Sequence, residues 1–205
     1  MEVILRFLRS TPDLARWEER EFMAASGRGP ANRDRRAALE RVVAREAPGD
    51  PEPGGAYCRL ATAVLGYHIF PPSLVMRVLR RAPLRAGDTV GTCYHFLPGI
   101  DLFFASRVTA CFDERVGNSW CCGFTYRTLT GHPLIGEETF SVEKDAATGC
   151  VKALLRSWSR PGIWLAHLGK PIVRWLQFRA GRAALDHLQA IITVRASGSR
   201  SSNWL

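Results

Sequence analysis

The residue types best suited to chemistry gather in one short stretch. Gly131-His132-Pro133 is followed closely by Gly136-Glu137-Glu138, and Tyr126 lies a few residues upstream. An imidazole titrates near neutrality and serves as acid or base. A neighbouring carboxylate can orient it or act as the base, and a phenol can donate a hydrogen bond to a ligand oxygen. His132, Glu138 and Tyr126 therefore form the candidate catalytic set. Their chemistry would be acid/base work without a cofactor: cyclisation, dehydration or isomerisation. The same residues also suit a structural loop, with His132 bonding the backbone, the glycines at positive φ and the carboxylates paired with arginines. Adjacent acids on a strand point to opposite faces, so at most one of Glu137 and Glu138 faces a pocket.

Arg156, Trp158 and Arg160 alternate with Leu155, Ser157 and Ser159, so one set faces inward and the other outward. An Arg and a Trp on one face can bind an anion or stack a ring, or form a solvated outer face whose stems cover apolar surface. With Phe104, Phe124, Phe140 and Leu188, the pair Trp158 and Arg160 completes the candidate ligand-binding set. His68 and His95 fall in separate apolar runs, and nothing in their spacing calls for a metal. No Cys-x-x-Cys occurs, and no Gly-x-Ser-x-Gly, Gly-x-Gly-x-x-Gly or P-loop occurs either. Zinc sites, serine-elbow hydrolases and nucleotide-dependent enzymes are disfavoured, and no cofactor is expected.

Charge is distributed unevenly. The net charge is +9, yet residues 1–56 hold 10 Arg and 10 acids, whereas residues 152–205 hold 9 basic residues against the single acid Asp186. Only Lys144, Lys152 and Lys170 of the 28 basic residues are lysines. Arginine suits bidentate recognition of carboxylate or phosphate, but this dominance equally reflects a GC-rich genome. The six cysteines lie mostly in apolar, strand-like runs. With no secretory signal at Met1–Leu8, they predict reduced, buried thiols in the cytoplasm. No apolar run approaches the roughly 18 residues that span a bilayer.

These side chains need elements to hold them. Thr89–Leu97, Leu102–Phe112, Trp120–Leu129, Glu138–Lys144 and Val151–Ser159 are rich in aromatic and β-branched residues and punctuated by turn residues, so they predict an antiparallel meander. Within the third run, Trp120, Cys122, Phe124 and Tyr126 share one face. Ile172–Ile192 repeats apolar residues every three or four positions (Ile172, Leu176, Ala180, Ala184, Leu188, Ile191), which predicts a long helix with one apolar face. Gly162–Leu168 reads as a short helical turn. Further expectations are a strand at Ala61–Phe70, a helix at Ser73–Arg81 opened by Pro71–Pro72, and helices at Asp13–Ser26 and Asn32–Glu46, with Pro48–Gly55 as a linker. Residues 1–56 thus read as a charged helical extension, 57–195 as the main domain, and 196–205 as a Ser-rich flexible tail. The fold class is α+β. A sheet with one apolar face must bury it, and one long amphipathic helix can cover it, leaving a cavity between them: a helix-grip arrangement. A β-barrel with an added helix is the competing architecture.

The stretch Gly123–Glu143 (GFTYRTLTGHPLIGEETFSVE) resembles the signature of the DUF1990 (UPF0548) family of bacteria and plants. Arg156–Pro161 (RSWSRP), Leu165–Gln177 (LAHLGKPIVRWLQ), Gly66–Phe70 (GYHIF) and Ala82–Val90 (APLRAGDTV) extend the likeness over about residues 57–190. The resemblance implies no catalytic residues, because the family is uncharacterised. By analogy it implies kinship with helix-grip proteins, which bind lipids, sterols, polyketides or plant hormones, some acting as cyclases. Fold alone does not assign function.

The first functional expectation is binding of a hydrophobic or anionic small molecule in a cavity between sheet and helix. The second is a cofactor-independent enzyme on the same site. The third, a nucleic-acid or acidic-partner binder, rests on the basic final quarter alone and is disfavoured. Ligand identity and oligomeric state are not legible.

Overall fold

The computed structural model describes residues 1–5, 12–23, 35–162 and 170–198. Its elements in chain order are β1 (Glu2–Leu5), α1 (Ala15–Glu18), β2 (Arg35–Arg45), α2 (Ala56–Leu65), β3 (Val75–Val78), β4 (Thr89–Leu97), β5 (Ile100–Val116), β6 (Ser119–Thr128), β7 (Leu134–Asp145), β8 (Cys150–Pro161) and α3 (Lys170–Gly198).

Alternation and tight turns produce the meander β4 to β8. Gly117, at φ +59, turns β5 into β6 in the left-handed region that glycine enters without strain. Among the described residues the strands form one sheet in the order β2-β8-β7-β6-β5-β4-β3. The strand β6 pairs with β5 only from Ser106 onward, which leaves Ile100–Phe103 free to receive β1. Register shifts at Val108/Ala110 and His95/Leu97 are the kind of irregularity that bends a strand and helps a sheet curl.

Two glycines of the signature stretch have a steric reason. A Cβ on Gly123 would lie 2.3 Å from the Phe140 carbonyl oxygen, and one on Gly136 would lie 2.3 Å from that of Trp158. Neighbouring strands come too close at these points for any side chain.

The main core lies between the sheet and two helices. Tyr57, Leu60 and Val64 of α2 and Ala184, Leu185 and Leu188 of α3 pack against Phe124, Phe140, Val142 and Leu155. The long helix and the curled antiparallel sheet make the helix-grip arrangement, and α3 presents the apolar face its spacing predicted. A second cluster, with Ile4, Leu14, Trp17, Cys93, Phe103 and Leu129, forms on the other side of β4 and β5. The sides are told apart by alternation: Leu102, next to Phe103, packs in the cluster that meets α3, while Phe104 touches both clusters.

Four expected elements are corrected. Asn32–Glu46 was expected to be a helix; its described part, Arg35–Arg45, is strand β2, paired antiparallel with β8. Leu39, Val42 and Val43 suit a helical stripe, but pairing along β8 wins, and the shift between Val42 and Ala44 lets Val43 and Ala44 both turn inward. Ala61–Phe70 was expected to be a strand, but α2 runs through Leu65, because Tyr57, Leu60 and Val64, spaced three and four apart, bury one helical face despite the β-branched Thr62 and Val64. Ser73–Arg81 is not a helix. Its prolines make a turn in which the Pro71 carbonyl accepts from Leu74 and Val75, and Val75–Val78 then pairs along β4. Of Asp13–Ser26, only Ala15–Glu18 is helix, and Ala24–Ser26 lie outside the described residues. The short helix expected over Gly162–Leu168 and most of the tail 196–205 also lie outside them. Pro48–Gly55 is irregular, as its composition predicts.

Residues before 56 therefore enter the sheet. Glu46 and Lys144 fasten this segment: Lys144 Nζ lies 2.9 Å from Glu46 Oε2, at 0% and 3% side-chain exposure. Lys144 also donates to the Asp50 carbonyl at 2.7 Å, and Glu46 Oε1 accepts the Tyr57 N–H at the start of α2. Burial pushes the Glu46 carboxyl up, but the bonds from Tyr57, Lys144 and Glu52 outweigh it and hold the group below the ordinary value.

Candidate functional site

Tyr126 and Glu138 are direct cross-strand partners on β6 and β7, so their side chains share a face. The Tyr126 hydroxyl donates to Glu138 Oε2 at 2.5 Å. Tyr67 enters from the chain just after α2, at φ 54, and its hydroxyl lies 3.3 Å from Thr92 Oγ1. Its ring stands 6.4 Å from that of Tyr126, and the two hydroxyls interact. A polar chain thus runs from Thr92 through Tyr67 and Tyr126 to Glu138, set among Phe70, Phe124 and Phe140.

Burial pushes the Glu138 carboxyl up to about 7, against the opposing effect of the Tyr126 hydrogen bond. Burial raises Tyr67 to about 12, and burial with the nearby Glu138 carries Tyr126 well above its ordinary value. Glu138 is thus a carboxyl that exchanges its proton near neutrality, beside a phenol that keeps its own. Glu137 points the other way, to Arg127 on β6, with Arg127 Nε 3.8 Å from Glu137 Oε2.

His132 occupies the turn between β6 and β7. Its Nδ1 accepts the Leu134 N–H at 3.0 Å, its ring meets Phe104 edge-on at 4.6 Å, and it is buried. Burial lowers its pKa to about 3, against the opposing effect of the Leu134 carbonyl oxygen, which stands 2.9 Å from Nδ1. It is therefore a neutral imidazole at ordinary pH, bonded to its own loop as the structural alternative describes. Of the candidate set, Glu138 is the group whose pKa burial brings to about 7.

These groups line a cavity of about 680 Å³ between the sheet and α3. Its apolar wall includes Phe70, Val75, Tyr94, Leu102, Phe104, Leu155, Leu176 and Ala180. Phe96 and Phe178 line it while 38% and 43% exposed, so they stand at its opening. Of the candidate residues, Tyr126, His132, Glu138, Phe104 and Trp158 line the cavity. Phe124, Phe140 and Leu188 do not: they are packed in the solid core beneath it. Arg160 is also absent from the lining. Ser159, its neighbour on β8, is the residue that faces the helix, accepting a bond from Gln177 Nε2 at 3.1 Å.

Sequence reasoning passed over Tyr67, Thr92, Tyr94 and Gln177 as cavity residues. Alternation with Phe104's partner strand would have placed Thr92 and Tyr94 on the inner face. Tyr67 carried no such signal, because its run was read as a strand. Among the described residues no group of three or more His, Cys, Asp or Glu side chains is arranged to hold a metal. His95 instead bonds Asp101, Nδ1 to Oδ1, at 2.9 Å.

Fold and cavity together define the class: a helix-grip protein whose cavity contains a titratable carboxyl. The chain belongs to the DUF1990 family, whose profile, described as a domain of unknown function, matches residues 19–187. A UPF0548 protein of Dictyostelium discoideum is 33% identical over 105 residues, 48% of this chain and 48% of that protein, so the match spans about half of that relative's length. Among solved structures, the chain resembles a Nitrosomonas europaea protein (11% identity, TM-score 0.46, covering 79% of this chain and 96% of that one). It also resembles the major latex-like protein 151 of Panax ginseng (10% identity, TM-score 0.46, 78% and 98%). A third is a norcoclaurine synthase of Thalictrum flavum (9% identity, TM-score 0.47, 80% and 96%). No helix of the described residues is long and apolar enough to cross a membrane.

Proposed function

We propose that this protein binds a hydrophobic small molecule, of lipid, polyketide or isoprenoid character, between its sheet and α3. The observation that carries this is the 680 Å³ cavity, in the size range of small-molecule sites and walled mainly by aromatic and aliphatic side chains with a few convergent polar groups. Native mass spectrometry of the protein purified from its own host, followed by denaturation to release any guest, is the test. A stoichiometric apolar molecule is the expected result. An empty protein that also takes up no apolar probe in vitro would overturn the reading.

A second reading, catalysis at the same site, is favoured by one arrangement: a carboxyl on the wall of an apolar cavity, bonded to a phenol and pushed up to about 7 by burial. Glu138 would remove or deliver a proton on the bound molecule, and Tyr126 would bond the carboxylate so formed. The reaction would be an isomerisation, dehydration or cyclisation. Glu138→Gln would lower turnover of the released guest by about 10²–10⁴-fold while leaving its binding intact. Unchanged turnover would remove this reading.

A further inference from the structure

Most of the cavity's polar side chains satisfy one another. Tyr67 bonds Thr92, Tyr126 bonds Glu138, Ser159 bonds Gln177, and His132 bonds Leu134. Tyr94 differs. It lines the cavity at 8% exposure, and its hydroxyl oxygen is buried with no hydrogen-bond partner among the described residues. Of the buried side-chain polar atoms left in that state, it is the one on a cavity-lining residue. A buried hydroxyl without a partner is unfavourable, so such an atom marks where a guest's polar atom is accommodated.

The surroundings give the charge of that atom. Arg179 of α3 stacks on the exposed Trp175, with its guanidinium carbon 5.3 Å from the ring centroid. Its charge also reaches the Tyr94 hydroxyl, where it opposes the upward push of burial on the phenol. Arg182 lies over Phe178 at the opening, 4.4 Å from the ring centroid, and the exposed Arg36 lines the cavity. Residues 146–185 contain no acid at all. The acid whose side chain faces the cavity is Glu138, which already engages Tyr126, while Glu137 turns its carboxylate away to Arg127. A phenol O–H at the cavity wall, in the field of the Arg179 guanidinium, offers a donor and positive charge but no competing anion.

Building on the binding reading above, we propose that the guest is an apolar molecule ending in an oxyanion head, which accepts from the Tyr94 hydroxyl and pairs with the Arg179 guanidinium. Its chain occupies the pocket walled by Phe104, Leu102 and Leu176. The head belongs at Tyr94 and not at Glu138, because a second anion beside an ionising carboxyl is repelled.

The test is titration calorimetry of the delipidated full chain with four probes of one chain length: dodecanoate, dodecyl phosphate, dodecanol and dodecylamine. At least one oxyanion probe should bind about tenfold or more tighter than dodecanol, and whichever does so identifies the head. Tyr94→Phe should weaken that probe about tenfold and dodecanol less than threefold, and Arg179→Gln should abolish the preference. Because the hydroxyl has no hydrogen-bond partner among the described residues, Tyr94→Phe should leave Tm unchanged or raised, which separates a binding role from a structural one. Equal affinity for dodecanoate, dodecyl phosphate and dodecanol would overturn the head assignment and leave the cavity reading standing. So would tighter binding of the amine, or an unaffected Tyr94→Phe. Failure of all four probes to bind would overturn both.

Discussion

Tyr126 and Glu138 face each other across the β6–β7 pair, the phenol donating to Glu138 Oε2 at 2.5 Å inside a cavity of about 680 Å³. The pair joins a phenol to a carboxyl whose pKa is shifted by burial. Burial has moved the carboxyl from 4.5 to about 7, and Tyr126 holds the form that results when the proton leaves.

Glu138 makes stability depend on pH in a defined direction. Its folded pKa is raised, so the folded state binds more protons than the unfolded chain between about 4.5 and about 7. Its contribution is full at the acid end of that window and is lost as pH rises through it. Urea denaturation across the window should show wild-type stability falling with pH relative to Glu138→Gln, whose amide cannot titrate. A constant difference between the two proteins would contradict a raised carboxyl.

His132 acts in the opposite sense. Its folded pKa of about 3 lies below the ordinary 6.5, so its contribution is full above 6.5 and is lost as pH falls toward 3. The two windows overlap, which is why the Glu138 effect must be read as a difference from its own variant. NMR of the His132 ring protons should show no titration step near 6.5. A step there would mean an accessible imidazole and would restore His132 as a general base.

Lys144 and Glu46 form a buried pair, and removing one partner leaves the other charge uncompensated. Lys144→Met should destabilise the protein by about 3–5 kcal/mol in urea denaturation. The double variant Glu46→Gln/Lys144→Met should recover part of that loss. Its remaining deficit reports chiefly the lost Lys144 bond to the Asp50 carbonyl, because an amide oxygen at position 46 can still accept the Tyr57 N–H.

Trp17 tests whether the N-terminal residues belong to the fold. It is fully buried, meets Phe103 edge-on at 5.9 Å, and donates its indole N–H to Glu2 Oε1 at 2.7 Å. Trp17→Ala should cost about 3–5 kcal/mol. A loss below about 1 kcal/mol would mean that this cluster forms a detachable appendage.

What the sequence determined by itself was local. The strands β4 to β8 were legible because each strand pairs with its neighbour through a short turn, and alternation with turn residues encodes that pairing within a few dozen residues. The long C-terminal helix was legible from its three-and-four spacing, and the pairing of Tyr126 with Glu138 follows from the signature hairpin they share. Tertiary structure decided the rest. Whether Arg35–Arg45 is helix or strand depends on β8, more than a hundred residues away, whose open edge its backbone completes. The edge strand β3 depends likewise on β4, and α2 on the core it covers. Nor does local pattern distinguish a wall from a core: Phe104 and Phe124 both face inward, yet only the curl of the sheet and the reach of α3 leave space beside one and close it over the other. That the Tyr94 hydroxyl lacks a hydrogen-bond partner among the described residues has the same origin, since it depends on which strands and helix surround it.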